Sequence, residues 1–358
     1  MSTPSILPQS PIPFSPRLTR PSPLSPLTHL QLDGVAPDLE AARPTDPKAI
    51  LPPRRRHPLS PGFTNSPPFT IFLRNNWSDI LTQLLCLAAA ELLYEFCPPV
   101  MPRYFPLYPG VETSAWGMKH SKPYLSEYVS TLVSAIVSFA VPAACMGAVA
   151  LWGTRRFEEG NVALIGLGYA LATSTLFNSF IKIFIGSLRP HFLSICALTN
   201  PPPFPGAGPQ HMYQVCTGPT KKIKEAQMSF PSGHASAAFA GFSFLALWVN
   251  AKWKVLSDGG HFRDHHGDQG AHETGGVWRQ RVHHWKLVLF VTPLCIAFLI
   301  AGSKVRDEWH HPSDVVFGAL VGIVFAHWAY KMVYRSVYDW RTNHIPMAEA
   351  REEQDMTE

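Results

Sequence analysis

Charge is scarce in this chain: Asp, Glu, Lys and Arg make up 15% of its 358 residues, against roughly 25% in typical soluble domains. That shortage disfavours an ordinary soluble enzyme. The formal net charge of +5 is spread over many loops. With no basic stripe, nothing points to nucleic acid. The first twenty residues lack the apolar core and small-residue cleavage site of a secretory signal peptide. Membrane insertion is therefore expected to start from an internal helix. Cysteine is sparse as well, at six residues with no Cys-x-x-Cys pair, so zinc-type ligand spacing is absent. Cys86, Cys97, Cys145 and Cys295 lie in or beside apolar stretches, where a thiol acts as a small hydrophobe. Cys196 and Cys216 share one polar loop. They are a disulfide candidate if that loop faces an oxidising compartment, and two free thiols otherwise.

Proline is abundant, with 17 of the 35 prolines in residues 1–70. Ser-Pro pairs recur there (Ser10-Pro11, Ser15-Pro16, Ser22-Pro23, Ser25-Pro26, Ser60-Pro61, Ser66-Pro67). Such a composition buries too little apolar surface to offset chain entropy, so a disordered arm is expected over 1–70. Pro8–Pro11 and Pro23–Pro26 read as polyproline ligands for SH3- or WW-type partners or as kinase sites, beside the plainer reading of a solvated tail.

Six apolar segments follow, at about 77–97, 128–152, 162–185, 232–251, 286–303 and 313–334, each near the roughly 20 residues that span a bilayer. Helices are the expected spanning structure because lipid tolerates no unsatisfied backbone. The expected fold is thus all-α: a six-transmembrane-helix bundle over 71–340, with a polar tail at 341–358. Arg and Lys are more numerous on the arm's side, including Arg54, Arg55, Arg56, Arg155, Arg156, Lys252 and Lys254. The positive-inside rule then places both termini in the cytosol. The loop 252–285 holds six histidines without metal-site spacing and reads as solvated.

Polar residues cluster at the helix ends. Lys182 lies near the end of the third segment, seven residues before Arg189-Pro190. A lysine in an apolar segment costs about 2.5–3.5 kcal/mol at the bilayer centre and marks function by default. On a continued helix, Lys182 and Arg189 would share a face two turns apart, a pairing suited to phosphate, whereas snorkelling would explain each singly. The fourth segment opens with Pro231-Ser232-Gly233-His234. Its helix start, with glycine admitting a ligand to the backbone, reads as an anion site with a proton donor in the first turn. Between the end of the fifth segment and the start of the sixth come Ser303, Lys304, Arg306, His310, His311, Pro312 and Asp314. His310 with Asp314 four residues on, beside a helix-initiating proline, is a base–orienter arrangement. By alternation, all these clusters fall on one membrane face, opposite the arm.

Lys-x6-Arg-Pro, Pro-Ser-Gly-His and Ser-x6-His-x3-Asp together resemble the three signatures of the type 2 phosphatidic acid phosphatase, or lipid phosphate phosphatase, superfamily, which is related to vanadium haloperoxidases. The resemblance covers roughly residues 75–335. It implies an integral-membrane phosphatase acting on phosphatidate, lysophosphatidate or diacylglycerol pyrophosphate. Sphingoid-base phosphates and polyisoprenyl diphosphates are the competing substrates. It further implies His310 as nucleophile, Asp314 as its orienter and His234 as acid to the leaving group. Lys182, Arg189, Ser232, Gly233 and Lys304 would bind phosphate, with no metal or other cofactor required. The site would face the lumen or the cell exterior, in an organelle left unspecified.

One departure stands out. The family's arginine after the serine of the third signature is Lys304 here. Lysine keeps the charge but lacks the planar fork that grips phosphate oxygens in pairs. Arg306 is the nearest substitute. The alternative implied by this departure is a non-catalytic, lipid-interacting pseudophosphatase.

Overall fold

A computed structural model describes residues 62–63, 66–101, 103–106, 108, 110–197, 215–256 and 283–347. The Ser-Pro arm before residue 62, the histidines 261–272 and the last eleven residues lie outside the described residues.

The described residues are helical, without a β-sheet. Each of the six apolar segments forms one long helix, with three short ones between them. In chain order these are α1 Phe69–Phe96, α2 Gly117–His120, α3 Thr131–Ala148, α4 Phe157–Phe184, α5 Phe192–Cys196, α6 Thr220–Ala226, α7 Gly233–Trp253, α8 His284–Arg306 and α9 Pro312–Val333. A widened π-helical stretch, Val149–Thr154, extends α3. Helix α1 begins directly after Pro67-Pro68, inside the region expected to be arm, because proline is tolerated before a first turn. At the other end, residues 341–347 fold back on the bundle instead of starting a tail. Tyr330 donates its hydroxyl proton to Asn343 O at 2.8 Å, and Arg335 N–H donates to Ile345 O at 3.0 Å.

Among the described residues, four helices are long and apolar enough to cross a membrane: Thr131–Thr154, Phe157–Phe184, His284–Arg306 and Pro312–Val333. The other two long helices, α1 and α7, are less apolar, each for its own reason. Helix α7 is the centre of the bundle, with 16 of its 21 residues buried. A helix enclosed by other helices needs small residues to admit their backbones more than it needs an oily surface. The polar side chains of α1 meet partners on α4. Tyr169 donates to Asp79 at 2.6 Å, Asn161 donates to Asn76 at 3.1 Å, and Gln83 donates to Ile165 O at 3.0 Å.

Two glycines set how closely α9 meets α7. A Cβ at Gly318 would lie 2.5 Å from Ser232 O, and one at Gly322 would lie 2.4 Å from Ser236 O. Both positions are closed to any larger residue at this spacing, so Gly318-x3-Gly322 works as a close-packing face. This contact lines up the N-termini of α7 and α9, where the polar motifs lie. The rest of the core mixes aromatic, aliphatic and small residues. Phe242, Phe244, Trp248, Tyr330 and Tyr334 pack among alanines. At the far end of α7, Lys252 and Glu159 form a mostly buried ion pair at 2.5 Å.

Candidate active site

The four helix ends expected to carry chemistry converge at one end of the bundle. Ser232 caps α7: its Oγ accepts from Ala235 N–H at 3.4 Å. Ser232 N–H donates to Asp314 O at 3.0 Å, which ties the start of α7 to the first turn of α9. Pro312 begins α9, so His310 stands just before the helix and Asp314 within its first turn.

His310 is 2% exposed. Its Nδ1 lies 3.9 Å from Asp314 Oδ2 and 3.4 Å from Ser229 Oγ. Ser229 donates its hydroxyl proton to Asp314 Oδ2, so serine and aspartate together hold that ring edge. Asp314 Oδ2 also accepts from His311 N–H at 3.1 Å, and Oδ1 accepts from the Ser313 hydroxyl at 3.3 Å. Burial pushes the His310 imidazole down to about 3, against the opposing pull of the Asp314 carboxylate; the charges of Arg189 and Lys182 add to the depression. The ring is therefore neutral near pH 7. With Nδ1 facing the carboxylate, the Nε2 lone pair is left for a reacting atom.

Lys182 and Arg189 do not share a helix face, contrary to the sequence expectation. Helix α4 ends at Phe184, and Gly186 takes a left-handed φ of 43° that no side chain would favour. Arg189 instead returns through the loop, where its N–H donates to Ala226 O at 2.8 Å. The guanidinium stacks 4.6 Å over the Trp309 ring and meets Glu225 at 3.4 Å. Its Nε and Nη1 are buried without a hydrogen-bond partner. Lys182 reaches the start of α7 from the other side, with Nζ 3.6 Å from where a Cβ on Gly233 would stand. Arg103 holds the α4 terminus by donating to Lys182 O at 3.2 Å and Ile185 O at 3.3 Å. Burial lowers Arg103 to about 10.

His234, in the first turn of α7, is buried, and its Nε2 has no hydrogen-bond partner. The ion-pairing atom within reach is Glu127 Oε2, at 4.0 Å. Lys304 is completely buried. Its ammonium donates to Val129 O and lies 3.6 Å from Glu127 and 3.9 Å from Asp307. Arg306 does not take its place: that side chain is 71% exposed and rests against Asp307 and the Tyr128 ring. His311 turns away from the site, with Nε2 3.1 Å from Leu188 O.

Sequence reasoning missed Ser229, Glu127 and His191. His191 Nδ1 lies 2.8 Å from Glu308 O, and burial, aided by the charge of Arg189, lowers its imidazole to about 4. Ser229 and Glu127 stand in no motif, His191 follows Arg189-Pro190 with no role of its own expected, and their partners are 80 or more positions away in the chain. Cys196 and Cys216 are joined as a disulfide, which ties α5 to the approach to α6.

The site is thus a neutral, oriented histidine facing buried guanidinium and imidazole donors that lack partners, at the end of a bundle whose helices include four long and apolar enough to cross a membrane. Residues 163–338, the stretch that carries all three motifs, match the family model described as the PAP2 superfamily. The chain is 31% identical over 217 residues to a probable lipid phosphate phosphatase 4 of Arabidopsis thaliana, covering 61% of this chain and 62% of that protein. It is 32% identical over 181 residues to lipid phosphate phosphatase 1 of the same plant, covering 49% of this chain and 46% of that one. Against diacylglycerol pyrophosphate phosphatase 1 of Saccharomyces cerevisiae it is 29% identical over 227 residues, covering 61% of this chain and 69% of that one. The chain thus spans between about half and two thirds of the length of these three curated relatives. No solved structure matches it.

Proposed function

We propose that the protein is an integral-membrane lipid phosphate phosphatase that works through a phosphohistidine at His310 without a metal. The observation that carries this reading is the set of unpartnered buried donors, Arg189 Nε and Nη1 and His234 Nε2, beside a neutral His310. Buried polar groups are almost always paired. Several left open at one place call for an anion.

In the first step, His310 Nε2 attacks phosphorus while Asp314 and Ser229 hold Nδ1. The bond to the leaving oxygen breaks, and His234 gives that oxygen its proton. Lys182, Arg189, the Ser232 hydroxyl and the N–H of Gly233 spread the charge of the equatorial oxygens. In the second step His234 takes a proton from water, which attacks the phosphohistidine and frees His310. Metal independence is supported by the donor set itself, whose cationic and N–H groups can carry the charge a metal would otherwise offset. The names of the relatives favour phosphatidate, lysophosphatidate and diacylglycerol pyrophosphate as substrates. Sphingoid-base phosphates and polyisoprenyl diphosphates present the same chemistry.

All six long helices cross the bilayer on this reading, with both termini cytosolic and the site lumenal or extracellular. The Cys196–Cys216 pair supports that orientation, because it lies at the site's end of the bundle and disulfides persist in oxidising compartments. The 1–70 arm serves as a cytosolic appendage whose proline motifs suit SH3- or WW-type partners or kinases.

The test is phosphate release from phosphatidate in detergent micelles containing EDTA. The wild-type protein is expected to release phosphate and His310→Ala is expected to lose that activity. Retained activity in the variant would remove the nucleophile assignment, and strict dependence on added Mg²⁺ would remove the metal-free one.

A further inference from the structure

Glu127 belongs to none of the three motifs, yet its carboxylate lies within the site they form. Its Oε2 stands 3.6 Å from Lys304 Nζ and 4.0 Å from His234 Nε2, and the side chain is 15% exposed. The backbone around it is pinned. Tyr128 N–H donates to Asp307 Oδ2 at 2.7 Å, and Val129 O accepts from the Lys304 ammonium. Three successive residues, Glu127 to Val129, are thereby fastened to the end of α8. The same contacts account for the lysine at position 304. A compact ammonium fits between two carboxylates and a carbonyl, whereas a guanidinium fork would spread beyond them. Lys304 holds Glu127 in place, and its charge is engaged there, not aimed at a ligand.

We infer that Glu127 is a specificity-determining residue. It fixes a negative charge on the leaving-group side of the phosphate and selects lipid phosphomonoesters whose leaving alcohol carries a hydroxyl or ammonium near the ester oxygen, against lipid diphosphates. This rests on the assignment of His234 as the acid that protonates the leaving oxygen, since Glu127 stands beside His234. In a monoester the departing group is an alcohol. In a diphosphate it is a second phosphate, which brings its negative charge toward the carboxylate. Charges a few ångströms apart in a site of low dielectric interact far more strongly than in water. A lysophosphatidate offers a free 2-hydroxyl and a sphingoid-base phosphate a 2-ammonium at the place where Glu127 accepts. A phosphatidate has its 2-oxygen acylated and offers neither. Diacylglycerol pyrophosphate sets its inner phosphate there.

The experiment compares kcat/KM for these four lipids in detergent micelles, using the full chain and the variants Glu127→Gln and Glu127→Asp. Glutamine keeps the shape and an oxygen facing Lys304 while removing the charge. Aspartate keeps the charge and withdraws it by one methylene. The wild-type protein is expected to favour lysophosphatidate and sphingoid-base phosphate over the diphosphate. Glu127→Gln is expected to move that ratio toward the diphosphate by about tenfold, equivalent to about 1.4 kcal/mol, with Glu127→Asp restoring part of the preference. A ratio unchanged in Glu127→Gln, or a loss equal on all four lipids, would overturn the inference and leave the phosphatase assignment standing. A wild-type protein inactive on every lipid would overturn both.

Discussion

Ser229 donates its hydroxyl proton to Asp314 Oδ2, and the serine Oγ itself lies 3.4 Å from Nδ1 of His310. The aspartate is 3.9 Å from that nitrogen, beyond an ordinary hydrogen bond. The serine is thus wedged between base and orienter. Ser229→Ala leaves a buried carboxylate short of one donor, and hydrogen bonds to charged groups contribute about 1.5–3 kcal/mol. A fall of about 10- to 100-fold in kcat is expected, with KM nearly unchanged, because the phosphate-binding donors are untouched. Steady-state kinetics on phosphatidate micelles check it; a change in KM alone would count against it.

Acid should destabilise the fold through two buried histidines. His310 is held down to about 3 and His191 to about 4, whereas an unfolded histidine titrates near about 6.5. Between those values the unfolded chain binds more protons than the native one, so stability rises with pH through that window. It is fully present above about 6.5 and is lost as pH falls toward 4 and then 3. Thermal unfolding in detergent should show a lower midpoint at pH 5 than at pH 7. His191→Asn should narrow that difference, since asparagine cannot titrate and can still donate to Glu308 O.

Gly318 is where α9 passes closest to the capping serine of α7. A valine there would put its Cβ 2.5 Å from Ser232 O. Overpacking of this kind typically costs about 1–3 kcal/mol, and here it also parts Ser232 N–H from Asp314 O. Gly318→Val should lower both thermal stability and phosphate release. Gly302→Ala, at a glycine with nothing within 4 Å of its added Cβ, should change neither.

Orientation is open to a direct check. A glycosylation acceptor placed in 191–228 should be modified during synthesis into microsomes, and one in 252–285 should not. The reverse pattern would invert the assigned topology and put the disulfide on the reducing side.

The parts of this molecule legible in its sequence are those encoded within a few residues. Long apolar runs mark the helices because burial or lipid must cover them, and Pro312 followed by Asp314 marks a helix start through local capping chemistry. Lys182 and Arg189 show the limit of that reasoning. Seven-residue spacing suggested one face, but Gly186 and Pro190 end the helix and the guanidinium reaches the site from a loop. Helix α7 reads as one more apolar span, and its alanines, serines and glycines also suit enclosure by other helices, with 16 of its 21 residues buried. Ser229 and Glu127 were illegible because a single serine or glutamate in a loop carries no pattern. Their significance arises only when the fold brings them against Asp314, His234 and Lys304.

The phosphohistidine itself can be captured. Brief incubation of the full-length protein with a lipid labelled in its phosphate, followed by alkaline quench and acid treatment, reports whether a label is covalently held and whether it is acid-labile, as a phosphoramidate is. The proposed mechanism predicts an acid-labile label on His310 that accumulates in His234→Ala, where water is poorly activated, and is absent from His310→Ala. Label retained in His310→Ala, or turnover with no covalent species under any quench condition, would contradict it.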